Sequence, residues 1–465
     1  MPTHDEDVYR DALTRAEGHV LDWLHGVNSR HVGPTATVEQ LTTDFGGPLQ
    51  DAEIDPGVVV DELARLADPG LMAMPSAKFF GWVIGGTLPA ALGADWMVSA
   101  WDQNAAMRIA TPATAAAEEV AGQWLLDLLH LPAASAVGFP TGGTTANFVG
   151  LAAGRQFVLD NAGWDLEANG LSGAPKITVL VGEERHTSID MALRYLGLGR
   201  GQNVAADEEG RIVPAALAEA LAAIDGPVIV ALQAGNLHSG AFDPFRECIE
   251  LAHASGAWVH VDGAFGLWAA ASDKWIEATD GLDLADSWAT DAHKTLNVPY
   301  DCGVSIVSRP EVLEKVFGAR PAYLIQADDG PSDPFARVPE FSRRARGVTV
   351  WAALRQLGRS GTIALVERLA AHARSLAAGI AQLPGAEVLN DVVFTQVSLA
   401  FGSDERTRAV TQQLIADGAV WMSGSKWRGR DILRISVSNW STDEQDVATA
   451  ISAVESAIAT VDAAS

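Results

Sequence analysis

Between Lys176 and Ser308 the chain alternates short β-rich runs with helical stretches. That alternation restricts the fold more than any other feature. The runs are "KITVLVG" (176–182), "PVIVALQ" (227–233), "WVHVDG" (258–263) and "GVSIVS" (303–308), and "VPAALAEALAAI" is one of the helical stretches between them. Strand–helix alternation predicts a mostly parallel sheet with helices on both faces. Ligands of such sheets sit beyond the C-terminal strand ends, where the segments holding Asp262 and Lys294 should lie.

The flanks read differently. Residues 1–75 form a helical N-terminal segment, broken at "HVGP", "FGGPL" and "DPG". In "DPGVVVDELARLAD", Asp55 is an N-cap and Pro56 the first helical residue. The helix over 114–129 places Val120, Trp124, Leu125 and Leu128 on one face. The stretch 350–383 is helical with a break near Gly358–Gly361, and 392–401 and 431–438 are strand-like. The expected organisation is a helical segment 1–75, a large domain 76–346 and a small α+β domain 347–465.

At 465 residues the chain is long enough for two or three lobes. Its net charge of −27 opposes nucleic acid and anionic membranes as partners. No run of eighteen uncharged apolar residues occurs, so no membrane span is expected. The acidic start "MPTHDEDVYR" lacks the pattern of a secretory signal. Only Cys248 and Cys302 are present, which fits a reducing cytoplasm.

Four stretches carry chemistry. In "GFPTGGTTANFVGLAAGR" (138–155) a strand-like start runs through a Gly-Gly-Thr-Thr turn into a helix, an arrangement suited to a phosphate. It lacks the Lys of a nucleoside-triphosphate loop, and an ordinary capped turn would look the same. His186 follows a strand end, where its ring could stack on a flat cofactor or merely cap a helix. Asp262 closes "VHVD"; a carboxylate at a buried strand end calls for a cation such as a protonated pyridine nitrogen, unless it caps a helix. Lys294, in "DAHKTLNVPYDCG", has the setting of an amine that must become a nucleophile.

With these four in this order, the sequence resembles the group II pyridoxal-5′-phosphate (PLP) decarboxylases of the aspartate aminotransferase fold, fold type I. The likeness runs over roughly 45–455. It is densest in "FFGWVIGGTLPAALGADW", "GGTTANFVGLAAGR", "HVDGAFG", "ADSWATDAHKTLNVPYDCG", "SRRARGVTVWAALRQLGRSG" and "LRISVSNWSTDEQDV". The resemblance implies a seven-stranded, mostly parallel sheet sandwiched by helices, and a homodimer with its active site at the interface. It also implies decarboxylation of an L-amino acid to the amine and CO2 through a Schiff base on Lys294, with no metal site.

The roles it implies are specific. Asp262 would keep the pyridine nitrogen protonated, His186 would stack on the ring, and His293 would touch the phosphate and the reacting centre. Gly143 and Thr144 would hold the phosphate, with Ser287 and Asp291 near it and Ala264 leaving room for the ring. Arg434 would face the substrate carboxylate. Phe79, Phe80, Trp82 and Thr87 would shape the side-chain pocket, hinting at a large apolar substrate. Some positions depart from the family pattern. Thr295 stands where Trp is frequent, Thr145 replaces an acid in the phosphate turn, and Asn236-Leu237 replace a Thr pair. The loop "QADDGPSDPFARVPEF" (326–341) has no tyrosine, the usual proton donor. Aldehyde-forming oxidative deamination, transamination and lyase chemistry therefore stay open, as does a non-catalytic homologue.

Overall fold

The computed structural model describes residues 6–318 and 332–464. The N-terminal segment holds α1 (Glu6–Gly26), α2 (Val38–Phe45) and α3 (Pro56–Ala67), followed by α4 (Pro89–Trp101) and α5 (Pro112–Leu128). As expected, Asp55 caps α3: Oδ1 accepts from the N–H of Gly57 at 2.9 Å and of Val58 at 3.2 Å.

The expected stripe on α5 is corrected. Leu125 and Leu128 are buried, but Val120 is only half-buried and Trp124 faces out, stacked on Trp351 at 6.2 Å. The inner face is filled by small residues instead. A side chain on Gly122 would stand 3.1 Å from Val137. Glu118 turns inward because Arg343 meets it with two hydrogen bonds of 2.7 Å, which offsets the cost of burying its charge.

The central sheet contains β1 (Ala136–Gly138), β2 (Thr178–Gly182), β3 (Gln202–Val204), β4 (Val228–Gln233), β5 (Trp258–Asp262), β6 (Ser287–Asp291) and β7 (Gly303–Val307). Their order is β1-β7-β6-β5-β4-β2-β3. All pairs are parallel except those of β7, which runs antiparallel to both β6 and β1. Helices α6 (Gly143–Asn161), α7 (Leu166–Asn169), α8 (Thr187–Tyr195), α9 (Pro214–Ala222), α10 (Phe245–Ala254) and α11 (Pro310–Phe317) connect the strands. Both faces are covered. Val228, Val230 and Leu232 of β4 join one apolar cluster, and Ile229 and Ala231 join another. Each of these buried Val, Leu and Ile side chains contributes about 1.5–3 kcal/mol by leaving water.

The C-terminal part contains α12 (Arg346–Ile380), β8 (Ala386–Val388), β9 (Gln396–Phe401), α13 (Asp404–Asp417), β10 (Ser423–Trp427), β11 (Arg430–Ser436) and α14 (Glu444–Ala464). Its four strands are antiparallel in the order β10-β11-β9-β8. Gly358, at φ 62°, interrupts α12 where a break was expected. Among the described residues, α14 alone is long and apolar enough to cross a membrane. Val447, Ala450, Val454, Ala457 and Ile458 pack that helix into the core of the small sheet.

Candidate active site

Three parallel strands deliver the site from one edge of the sheet. The C-terminal residues Gln233 of β4 and Asp262 of β5 are register partners, and Asp262 pairs in turn with Ala289 of β6. Strand β6 ends at Asp291, and Lys294 follows three residues later. A cleft of about 340 Å³ opens there, lined by Gly143, Thr144, His186, Ala264, Asp291, His293 and Lys294 among others. Seven of the residues expected at the site therefore meet in one place.

The turn after β6 is held by a residue the sequence reading missed. Asn297 adopts φ 56°, a conformation Asn tolerates better than most residues. Its Oδ1 accepts from the N–H groups of Gly86 and Trp440, and its Nδ2 donates to the carbonyls of Thr295 and Ser438. Gly85 must lack a side chain, because a Cβ would stand 2.1 Å from the Lys294 carbonyl oxygen. Segment 85–87, the lysine turn and the strand-end after β11 are thus stapled together.

Lys294 Nζ donates to Asp291 Oδ2 at 2.9 Å. Asp291 is almost fully buried, and its Oδ1 has no hydrogen-bond partner among the described residues; His293 Nε2 is 3.6 Å away. His293 Nδ1 accepts from the Cys302 N–H at 3.1 Å, which leaves its proton on Nε2. Desolvation, the largest influence, holds His293 below its ordinary pKa. The Tyr300 ring stacks on it at 4.1 Å.

Helix α6 starts at the Gly142–Gly143 turn with no side-chain cap, so its first N–H groups point free into the cleft. Space above them exists because the glycines are bare. A side chain on Gly143 would reach 2.7 Å from Asp291 Oδ2. Uncapped N–H groups at a helix start, in a cleft within the usual range of cofactor pockets, fit a phosphate-bearing group.

Asp262 is 7% exposed and caps no helix; its Oδ1 accepts from the Ala264 N–H at 3.1 Å. Its Oδ2 accepts from Asn147 Nδ2 at 3.0 Å and faces Ser188 Oγ at 3.4 Å. His186 caps α8 after all, its Nδ1 accepting from the Ser188 N–H at 3.2 Å. The cap leaves Nε2 free to carry the proton. Burial, with Lys294 and Arg434 adding, holds His186 below its ordinary pKa against the charge of Asp262. Arg434, on β11, is 5% exposed and forms no ion pair among the described residues; its Nε has no partner, and burial brings its pKa down to about 10.

Two groups of expected site residues lie elsewhere. Ser287 is fully buried at the opposite end of β6, bonded to Trp258 Nε1 and His260 Nδ1 at 2.9 Å each. Four residue steps along the strand separate it from Asp291, roughly 13 Å, so it cannot touch a phosphate in the cleft. Phe79 packs with Val27, Val32 and Ala73, and Phe80 lies in the core of the small sheet. Trp82 is 45% exposed and Thr87 half-buried. Asn236, where a hydroxyl pair was looked for, spends its Oδ1 on the N–H groups of His238 and Ser239. Of the loop at 326–341, residues 326–331 lie outside the described residues. Phe335 is buried against Ala106 and Phe341.

The pyridoxal-dependent decarboxylase conserved domain matches residues 49–401. The chain is 24% identical over 446 residues to the aromatic-L-amino-acid decarboxylase of Bacillus atrophaeus, covering 92% of this chain and 91% of that one. Its fold superposes on a crystal structure of Oryza sativa TDC with PLP and tryptamine at a TM-score of 0.92, with 22% identity and 99% of each chain covered. Rhodiola rosea 4-hydroxyphenylacetaldehyde synthase gives 0.86, with 21% identity and 98% and 99% covered. The chain belongs to the pyridoxal-dependent decarboxylase family, enzymes that use pyridoxal 5′-phosphate to remove the carboxylate of an amino acid.

Proposed function

We propose that the cleft between α6 and the ends of β5 and β6 holds PLP on Lys294, and that an L-amino acid bound beside it is converted to its amine and CO2. The observation that carries this reading is convergence: one amine, one buried carboxylate and one uncapped helix start share a single cleft. When bound, the cofactor supplies an electron sink that lowers the cost of breaking the Cα–carboxylate bond.

The chain's own groups do the rest. The N–H groups of Gly143 and Thr144 hold the phosphate. Asp262 keeps a proton on the pyridine nitrogen, and Ala264 leaves space for the ring. His186, with its proton on Nε2, lies across the ring face. His293 presents its Nε2–H toward Asp291 and the phosphate end. Arg434, a buried cation without an ion-pair partner among the described residues, takes the substrate carboxylate.

The working unit is a homodimer. Trp96, Met97 and Trp101 of α4, Trp124 of α5 and Trp351 of α12 are all more than a third exposed. A patch of this kind on neighbouring helices marks an interface. Two free, buried cysteines suit a cytoplasmic enzyme.

A second reading rests on the loop 326–341, which carries no tyrosine. A reacting carbon that is not promptly protonated can meet dioxygen; with water this gives aldehyde, ammonia and hydrogen peroxide besides CO2. The test is a panel of amino acids, with CO2, amine, carbonyl product and peroxide measured in air and without oxygen. Amine equal to CO2 in both conditions establishes a plain decarboxylase. Aldehyde and peroxide that disappear without oxygen establish the second reading.

A further inference from the structure

Behind the cleft, one face of β5 lies against one stripe of α6. Trp258, His260 and Asp262 alternate along the strand and so share a face. Opposite them stand Gly154, Gly150 and Asn147. The two glycines let the helix come close. A Cβ on Gly150 would stand 2.3 Å from His260 Nδ1, and one on Gly154 would stand 2.7 Å from Trp258. Glycine inside a helix costs about 1 kcal/mol relative to alanine, so this contact is maintained against propensity.

The hydrogen bonds across this contact run in one direction. Trp258 has only an N–H to give, and gives it to Ser287 Oγ at 2.9 Å. The Ser287 hydroxyl then donates to His260 Nδ1, also at 2.9 Å; its other acceptor, the Gly150 carbonyl, is 3.5 Å away. With Nδ1 accepting, His260 carries its proton on Nε2 and donates it to Asn147 Oδ1 at 2.8 Å. The Asn147 amide is thereby oriented so that Nδ2 donates to Asp262 Oδ2 at 3.0 Å and Ser188 Oγ at 3.1 Å. The chain begins at a group that can only donate and ends at one that can only accept.

We propose that His260 is a positioning residue for Asp262, acting through Asn147. Its ring fixes the Asn147 amide, and that amide holds the carboxylate in the orientation its cofactor partner requires. This rests on Asp262 being the partner of the pyridine nitrogen. His260 stays neutral in the fold because complete burial pushes its pKa down to about 3. Ser287 also finds its place here, as the group that fixes the imidazole tautomer rather than as a phosphate ligand.

The experiment titrates PLP into apoprotein and records the dissociation constant and the visible circular dichroism of the bound cofactor. His260→Phe keeps a flat ring but removes both bonds. It should weaken PLP about tenfold or more, since a hydrogen bond to a charged group is at stake, and should alter the dichroism. His260→Gln, whose amide offers both a donor and an acceptor, should recover affinity to within about threefold. A role in packing alone would lower the apoprotein's melting midpoint for both variants and leave their PLP affinities equal. A folded His260→Phe protein with wild-type affinity and dichroism overturns the proposal. Should that protein not fold, Ser287→Ala breaks the chain one link earlier with the loss of a single oxygen. Weaker PLP binding there supports the proposal and unchanged binding overturns it. Wild-type apoprotein that binds no PLP overturns the cofactor assignment instead, so the two failures are distinguishable.

Discussion

Lys294 Nζ lies 2.9 Å from Asp291 Oδ2, while the other oxygen of that buried carboxylate accepts no hydrogen bond among the described residues. The pair sits directly under the glycine turn that opens α6. Asp291 is thus a negative charge beside the first N–H groups of α6, where a phosphate would lie. At about 5 Å and an effective dielectric of about 20, such a charge opposes an anion by about 3 kcal/mol.

Asp291→Asn should therefore tighten the binding of inorganic phosphate, used as a probe of the turn, by roughly tenfold or more. Calorimetric titration of apoprotein measures it. Weaker phosphate binding in the variant would mean that Asp291 organises the turn rather than opposing the anion.

Arg434 combines burial with the absence of an ion-pair partner among the described residues. A cation in that state costs stability until an anion arrives. Arg434→Met should raise the melting midpoint of the substrate-free protein and raise KM about tenfold to a hundredfold, with a smaller change in kcat. The KM effect follows because the carboxylate is held before it leaves. A loss confined to kcat would assign Arg434 to the bond-breaking step instead.

The tryptophans on α4, α5 and α12 make the assembly testable. Trp351→Glu places a charge on the Trp124–Trp351 stack. It should convert a dimer into a monomer in light scattering and abolish turnover, whereas an active wild-type monomer would contradict the dimer.

His260 also predicts a pH dependence of stability. It is neutral when folded, with its pKa pushed down to about 3, but takes up a proton when unfolded below about 6.5. Unfolding then binds a proton, so its contribution to stability is lost as pH falls from 6.5 toward 3. Between pH 7.5 and 5.5 the wild-type apoprotein should lose about 1.4 kcal/mol more than His260→Gln in denaturant titrations. Equal losses would mean that the ring is protonated in the fold.

The sequence made the sheet legible because its strands are continuous β-branched runs, as in "ITVLV" and "VIVAL". β6, "SWATD", escaped because its polar residues are buried by tertiary contacts rather than by pattern. Asp262 stood out as a charge closing a buried strand, and Lys294 as a lone amine soon after it. Ser287 was misplaced because the resemblance set it near the phosphate together with Asp291, whereas the two stand at opposite ends of β6. Asn147, His260 and Asn297 were missed for a related reason: their hydrogen bonds join positions more than a hundred residues apart. One signal was available, the Asn147–Gly150–Gly154 spacing set against Trp258–His260–Asp262. It becomes readable only once the helix is known to lie on that strand.

The most direct measurement is where the cofactor attaches. PLP-loaded protein is reduced with borohydride and digested, and the peptides are weighed by mass spectrometry. The expected result is a pyridoxyl adduct on the peptide carrying Lys294, absent from Lys294→Ala. An adduct of equal yield on another lysine, or none on the wild-type protein, would contradict the assignment of this cleft.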